Sequence, residues 1–348
     1  MAAPSEMPIP AAPHARDVAA RIYWFVLALV LVPFVVSAVV VLAGGPVIPL
    51  SDRALTELAV RDVGVHPVLL GLFSRDGWSH PGPALFYTLA IPYRIFGSSA
   101  SALAVGALGI NAACIAGMGA IVRRLGSARA GIGVLLFMGV LVRALGPQVV
   151  RDPWVLFVTV FPFGLMCCLV WAMTLGRIWA LPVATFVTTW LTQTHVGYIA
   201  LAIPLGVGGA LVLAWRIRSD RGRTRAFLKG VLGSVGVLVV CWAPTLWDQL
   251  YGSRNLTTTY NWFRTAREGV HTLAEGARVV FGQFAIPPDW VTGRRRVVLF
   301  GGETELRTHT LWPILLVVMV VAALIAWRRR ERVALWFLAV IVAALGIG

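Results

Sequence analysis

Charge is scarce in this chain. Only 13% of its 348 residues are charged, and the acidic ones number 15 against 30 basic. A soluble protein of this length needs a far more polar surface, so a water-exposed globular fold is excluded. Cysteine is scarce too. The four present, Cys114, Cys167, Cys168 and Cys241, all fall inside apolar runs, a placement that makes neither a disulfide framework nor a metal site. They read as small core residues. The sequence also lacks the short alternating segments of a transmembrane barrel and the internal repeats of many transporters.

What is present is apolar sequence: 58% of the residues are hydrophobic. Several runs exceed ~18 residues, enough for a helix to cross ~30 Å of hydrocarbon. The expected fold is an all-α polytopic membrane protein with about nine spans. The first run, Ile22 to Ala43, is too long for the apolar core of a cleaved signal peptide and reads as a retained helix. The net charge of +15 fits basic turns held on the cytoplasmic side, not a nucleic-acid partner. Four regions are expected: an unstructured cytoplasmic segment 1–21, a transmembrane core 22–247 containing an outer loop 44–97, a large outer loop 248–310, and C-terminal spans 311–348. The last run, 333–348, ends without a polar anchor, as a span cut short would.

Arg16 and Arg21 place the N-terminus inside. The segment 81–97 is apolar but short and carries Pro92. Read as lying flat on the outer surface, it puts the turn Arg123 to Arg129, the basic loop Arg216 to Lys229 and the run Arg328 to Arg332 all inside. Trp24, Trp154, Trp179, Trp215, Trp247, Trp312 and Trp327 then fall near span ends, as an interfacial aromatic belt requires.

This topology gathers the scarce polar residues on the outer side: Asp52 with Glu57, Asp76 with His80, Arg151 with Asp152, and Gln193 with His195. Arg143 lies slightly deeper, and Asp248 and Gln249 open the large loop. Each has an ordinary explanation. Ser51-Asp52 and Asp152-Pro153 can start helices, Glu57 and Arg61 can pair on one helix face, and His80 before Pro81 can mark a helix entry. An Arg within a span, as at 143, usually lines an aqueous cavity or meets an anion. Their convergence on one face points to a cavity open to the outside.

The residues Asp52 through Glu57, the turn Gly77-Trp78-Ser79-His80-Pro81-Gly82-Pro83, Phe96-Gly97 and Arg151-Asp152-Pro153 carry a resemblance over about residues 20–200. The chain resembles the GT-C superfamily of membrane glycosyltransferases, and within it bacterial members related to the protein-O-mannosyltransferase and lipid A aminoarabinose-transferase group. The resemblance implies a GT-C-like helical bundle in the plasma (inner) membrane, with juxtamembrane helices in the first outer loop and an active site on the outer face. It implies transfer from a polyprenyl-phosphate sugar donor to a glycan, lipid or protein acceptor. Asp52 would be the general base in an inverting attack. Asp152 would face the site from the second outer loop, and His80 would lie near the donor phosphate or a metal. Where the superfamily commonly has Asp-Glu in the first loop, this chain has Asp52-Arg53. Arg75, Arg143 and Arg151 would neutralise the phosphate, and Asp76, Gln193, His195, Asp248 and Gln249 would complete the substrate site. A divalent metal held by Asp152 with His80 or His195 is left open. The alternatives are a transporter or flippase of lipid-linked sugars, which needs broken, polar segments at mid-bilayer, and a non-catalytic scaffold.

Overall fold

The computed structural model describes residues 13–45, 47–218, 220–265, 272, 274 and 313–347. Among them there are twelve helices and no strands: α1 Pro13–Ala43, α2 Asp52–Asp62, α3 Ala84–Ile95, α4 Ala100–Leu125, α5 Ala128–Val150, α6 Val160–Thr174, α7 Ala180–Thr194, α8 Tyr198–Ile217, α9 Arg221–Tyr251, α10 Asn255–Thr265, α11 Pro313–Arg328 and α12 Arg332–Ile347. Segments within α1, α4, α5, α8 and α9 are long and apolar enough to cross a membrane. Helices α6 and α7, read from sequence as spans, have 15 residues each, about 22 Å at 1.5 Å per residue.

Helix α4 is the hub. Of its most apolar stretch 56% is buried, against 22% or less for the other four long helices, so they present apolar faces outward while α4 is enclosed. It packs against α1, α3, α5 and α6; α6 continues the packing to α7, α8 and α12, and α7 to α9. Small residues permit the close approach. A Cβ on Gly119 would lie 2.7 Å from Leu135 Cδ2, and one on Gly106 2.7 Å from Leu89 Cδ2, so the α4–α5 and α4–α3 contacts depend on glycine at these places.

Three sequence expectations are corrected. Residues 13–21, expected to be unstructured, form the start of α1. The basic stretch 216–229 is mostly helix. Arg216 belongs to α8, and α9 starts at Arg221 because the Asp220 carboxylate accepts the Arg223 backbone N–H at 3.2 Å and caps it. Asp248 and Gln249 lie in the last turns of α9 instead of opening a loop. The large loop 248–310 is thus helical as far as Thr265, and its basic triplet Arg294 to Arg296 lies outside the described residues.

Two local features shape one end of the bundle. In α5, Gly146 adopts φ 73°, ψ 166° ahead of Pro147 and breaks the helix. The break swings Val150 beside α4, where its carbonyl accepts from Asn111 Nδ2 at 2.8 Å. Asn111 lies about three turns into α4, so residues 151–154 sit recessed from the start of that helix. The second feature is a small hairpin in the connection from α2 to α3. Gly71 N–H donates to the His80 carbonyl, His80 N–H to that of Leu72 and Ser74 N–H to that of Trp78, with Gly77 at φ 83° in the turn. Helix α3 is about 18 Å long, too short to cross ~30 Å of hydrocarbon.

Candidate functional site

Two groups of polar side chains form at this end. The first centres on Asp52, the first residue of α2. Ser51 before it has φ 53° and ψ −132°, a conformation that costs a non-glycine residue on the order of 1–3 kcal/mol. The Ser51 side chain makes no cap; its hydroxyl points to Asp52 Oδ1 at 3.4 Å. Asp52 Oδ2 accepts the indole N–H of Trp154 at 2.8 Å. The neighbouring Arg53 reaches Asp152: Nε lies 3.1 and 3.2 Å from its two carboxylate oxygens and Nη2 2.5 Å from Oδ2. This is the one ion pair among the described residues. Asp152 is 5% exposed and Arg53 57%. Asp152 Oδ1 also accepts the Trp154 backbone N–H at 3.1 Å. The hydrogen bond to Asp152 is the main reason the Arg53 guanidinium holds its proton more tightly than usual. Two acids some hundred residues apart are thus coupled through Arg53 and Trp154, with Asp52 half-buried and Asp152 enclosed.

The second group sits at the base of the hairpin. The His80 and His195 rings lie 4.7 Å apart, and Trp78 packs edge-on against His80. His80 Nδ1 accepts the Val196 backbone N–H at 3.3 Å, and His195 Nδ1 accepts that of Gly197 at 3.1 Å. Each neutral ring therefore carries its proton on Nε2. Burial, and secondarily His195, push His80 down to about 3, and burial lowers His195. Both imidazoles are uncharged at neutral pH, so they offer N–H donors and no positive charge to an anion.

The hairpin is clamped from both sides. Gly82 N–H donates to the Gln193 carbonyl at 3.3 Å. A Cβ on Gly82 would meet Gln193 Oε1 at 2.5 Å and Thr245 Oγ1 at 2.7 Å. Gln193 Nε2 holds the Cys241 carbonyl at 2.7 Å, while its Oε1 and the Thr245 hydroxyl have no protein partner. Asn255 grips Ser79 in both directions: its Nδ2 donates to the Ser79 carbonyl at 2.8 Å, and its Oδ1 accepts the Ser79 N–H at 2.7 Å. Asp248 in turn accepts from Ser253 N–H, Ser253 Oγ–H and Asn255 N–H. Helix α10 lies across the hairpin with Trp262 and Phe263 against Trp78.

The remaining candidates lie apart from these contacts. Arg75 and Asp76 are at the exposed hairpin tip, where Asp76 accepts from Ser74. Arg151 donates to Gln148 Oε1 at 3.2 Å. Arg143 is exposed on α5 before the kink. Gln249 pairs with Thr257. The second shared partner of Asp152, Trp154, reads from sequence only as an interfacial aromatic, Arg53 only as a missing acid, and Asn255 only as part of an Asn-Leu-Thr glycosylation triplet. Asn255 is 4% exposed with its amide fully engaged, which removes it as a modification acceptor. Among the described residues no three His, Cys, Asp or Glu side chains come together as ligands. Both oxygens of Asp152 are held by Arg53, and Nδ1 of each histidine accepts a backbone N–H. As arranged, these residues do not fit a metal ion.

Compared with protein families, curated proteins and solved structures, the chain finds no match in any of the three.

Proposed function

We propose that this protein is a membrane glycosyltransferase of the GT-C type that moves a sugar from a polyprenyl-phosphate donor to an acceptor hydroxyl on the outer face of the membrane. The observation that supports the reading most is the meeting of the first and second loops at Asp52 and Asp152. The resemblance asks for acids from both loops at one place, and nothing in the local sequence requires them to meet. In this mechanism an acceptor hydroxyl approaches Asp52, whose carboxylate takes the proton. The acceptor oxygen bonds to the anomeric carbon as the bond from that carbon to the phosphate oxygen breaks, with inversion. Polyprenyl phosphate leaves with the electron pair. Stabilising that anion is the larger requirement, and it falls to arginine, since His80 and His195 are neutral. Arg53, 57% exposed beside Asp52, can serve in that role, whereas Arg75, Arg143 and Arg151 lie apart from the Asp52 and Asp152 contacts. Trp154 fixes the orientation of the Asp52 carboxylate through its indole N–H.

The test is a panel of polyprenyl-phosphate sugars presented to the protein in lipid nanodiscs with mixed glycan, lipid and peptide acceptors. Release of free polyprenyl phosphate together with a glycosylated acceptor is expected for one donor. Movement of an intact lipid-linked sugar across a vesicle bilayer, without release, would replace this reading with a flippase.

A further inference from the structure

The other end of the helices is unlike the site in every chemical respect. Here α4, α6 and α8 finish and α5, α7, α9 and α12 begin. Arg124, Arg177, Arg216 and Arg223 surround the turn from α6 to α7, and all four are exposed. Arg223 donates to the Gly176 carbonyl in that turn. A Cβ placed on Gly176 would lie 3.6 Å from Arg223 Nη1 and 3.9 Å from Arg216 Cδ. The Arg124 guanidinium carbon is 5.8 Å from the centre of the Trp179 ring, and that of Arg216 is 5.3 Å from the centre of Trp336.

Among the described residues these cations have almost no acidic company. Asp220 is near, but its carboxylate caps α9 through the Arg223 backbone. Glu331 precedes α12. The one ion pair among the described residues is at the opposite end. Neutralising helix C-termini accounts for a cation over the last carbonyls, and Arg223 at Gly176 is such a case. It does not account for four guanidinium groups around one turn, two of them over indole rings.

We propose that this cluster binds the phosphate of an anionic phospholipid, with the acyl chains lying on α8 and α9. Guanidinium groups match a phosphodiester in paired hydrogen bonds, which ammonium groups do not, and the whole chain has a single lysine, Lys229. The stems lie along apolar and aromatic surface while the charged heads stay at the boundary with water. The ligand is a lipid and not free phosphate because the cluster borders an apolar wall. Leu211 is 65% exposed and Leu232 71%, and only 6% of the most apolar stretch of α9 is buried in the protein.

The experiment is native mass spectrometry of the full chain released from micelles holding equal amounts of phosphatidylglycerol and phosphatidylcholine. The wild type should retain phosphatidylglycerol preferentially. Replacing the four residues together (Arg124→Gln, Arg177→Gln, Arg216→Gln and Arg223→Gln) should cut that preference by about tenfold or more, given the strength of each cation near an anionic surface. Arg216→Gln alone should give a partial loss, and serves if the fourfold variant does not fold. Arg264→Gln, exposed in α10 at the other end, should leave the preference intact. Equal retention of the two lipids by the wild type, or an unchanged preference in Arg216→Gln and the fourfold variant, would overturn the proposal. So would displacement of the lipid by glycerol phosphate at matched concentration, which would mark a site for a soluble phosphate.

Discussion

The two ends of the bundle use arginine in opposite ways. At the end that carries Asp52, Arg53 turns inward and binds a buried carboxylate. At the other end Arg124 and Arg216 turn outward over aromatic rings, with no ion pair to a carboxylate among the described residues. The polar groups of the first end hold one another: Asp248 organises Asn255, Asn255 grips the hairpin, and the hairpin carries His80 to His195. A buried network of polar groups that hold one another fixes geometry, even with Gln193 Oε1 and the Thr245 hydroxyl left unpaired. An unopposed set of exposed cations fixes only a charge. The first end therefore has the character of a site, and the second that of a surface.

The comparison breaks first at the ion pair. Arg53→Ala leaves Asp152 enclosed without its cation, whereas loss of an outward arginine costs little. Thermal unfolding in detergent should show a loss of roughly 2 kcal/mol for Arg53→Ala, discounted from the cost of breaking a fully buried pair because Arg53 is half in solvent. For Arg124→Ala the loss should be within about 0.5 kcal/mol. Equal losses would mean that the pair is only a surface contact.

Gly82→Ala should come next. Its new Cβ would collide with Gln193 and Thr245 at the hairpin base, and a cost of about 1–3 kcal/mol is expected for such overpacking. Gly109→Ala, inside α4 with open space around it, serves as the clash-free comparison and should be neutral to slightly stabilising. If the two variants unfold alike, the clamp is not rigid.

An effect of similar order is expected from pH. His80 binds its proton less readily in the folded protein than in the unfolded chain, whose imidazole titrates near 6.5. Between these values the unfolded state carries more protons, so stability rises with pH there. The contribution is complete above about pH 6.5 and is lost as the pH falls toward about 3. Unfolding followed from pH 7 to pH 4.5 should show a shallower decline in His80→Phe than in the wild type. A decline that is the same in both would show that His80 is not held neutral. The smallest change is expected from Trp154→Phe, which removes one hydrogen bond to Asp52 and should cost about 1 kcal/mol in stability while reducing transfer.

Much of this was legible before the structure, and for physical reasons. Helices with long apolar runs are set by composition, so α4, α5 and α8 follow from the sequence within a few residues, while α1 and α9 begin in polar sequence ahead of the apolar run that announces them. The sequence expects the acids and the histidines together on one side; the structure holds them in two groups, Asp52 with Asp152 through Arg53 and Trp154, and His80 with His195. The break at Gly146 was hidden, because Gly-Pro within an apolar run can be a continuous kinked helix or a stop, and only packing against Asn111 decides. The hairpin 71–80 was hidden because its few ladder bonds involve no alternating apolar pattern. Arg53 reads as a departure from an expected acid; its partner lies 99 residues away, and no local rule connects them. Asn255 was missed for a related reason. Its importance lies in a clamp on Ser79, 176 residues distant.

The central claim is that Asp52 takes the acceptor proton in a site held together by Arg53, Asp152 and Trp154. It is tested most directly by Asp52→Asn, which keeps shape and removes the base. With the active donor identified, single-turnover transfer and donor binding would be measured side by side in nanodiscs. The account predicts a rate lower by roughly a hundredfold or more, with donor affinity within a few-fold of wild type. Transfer at the wild-type rate by Asp52→Asn would contradict it.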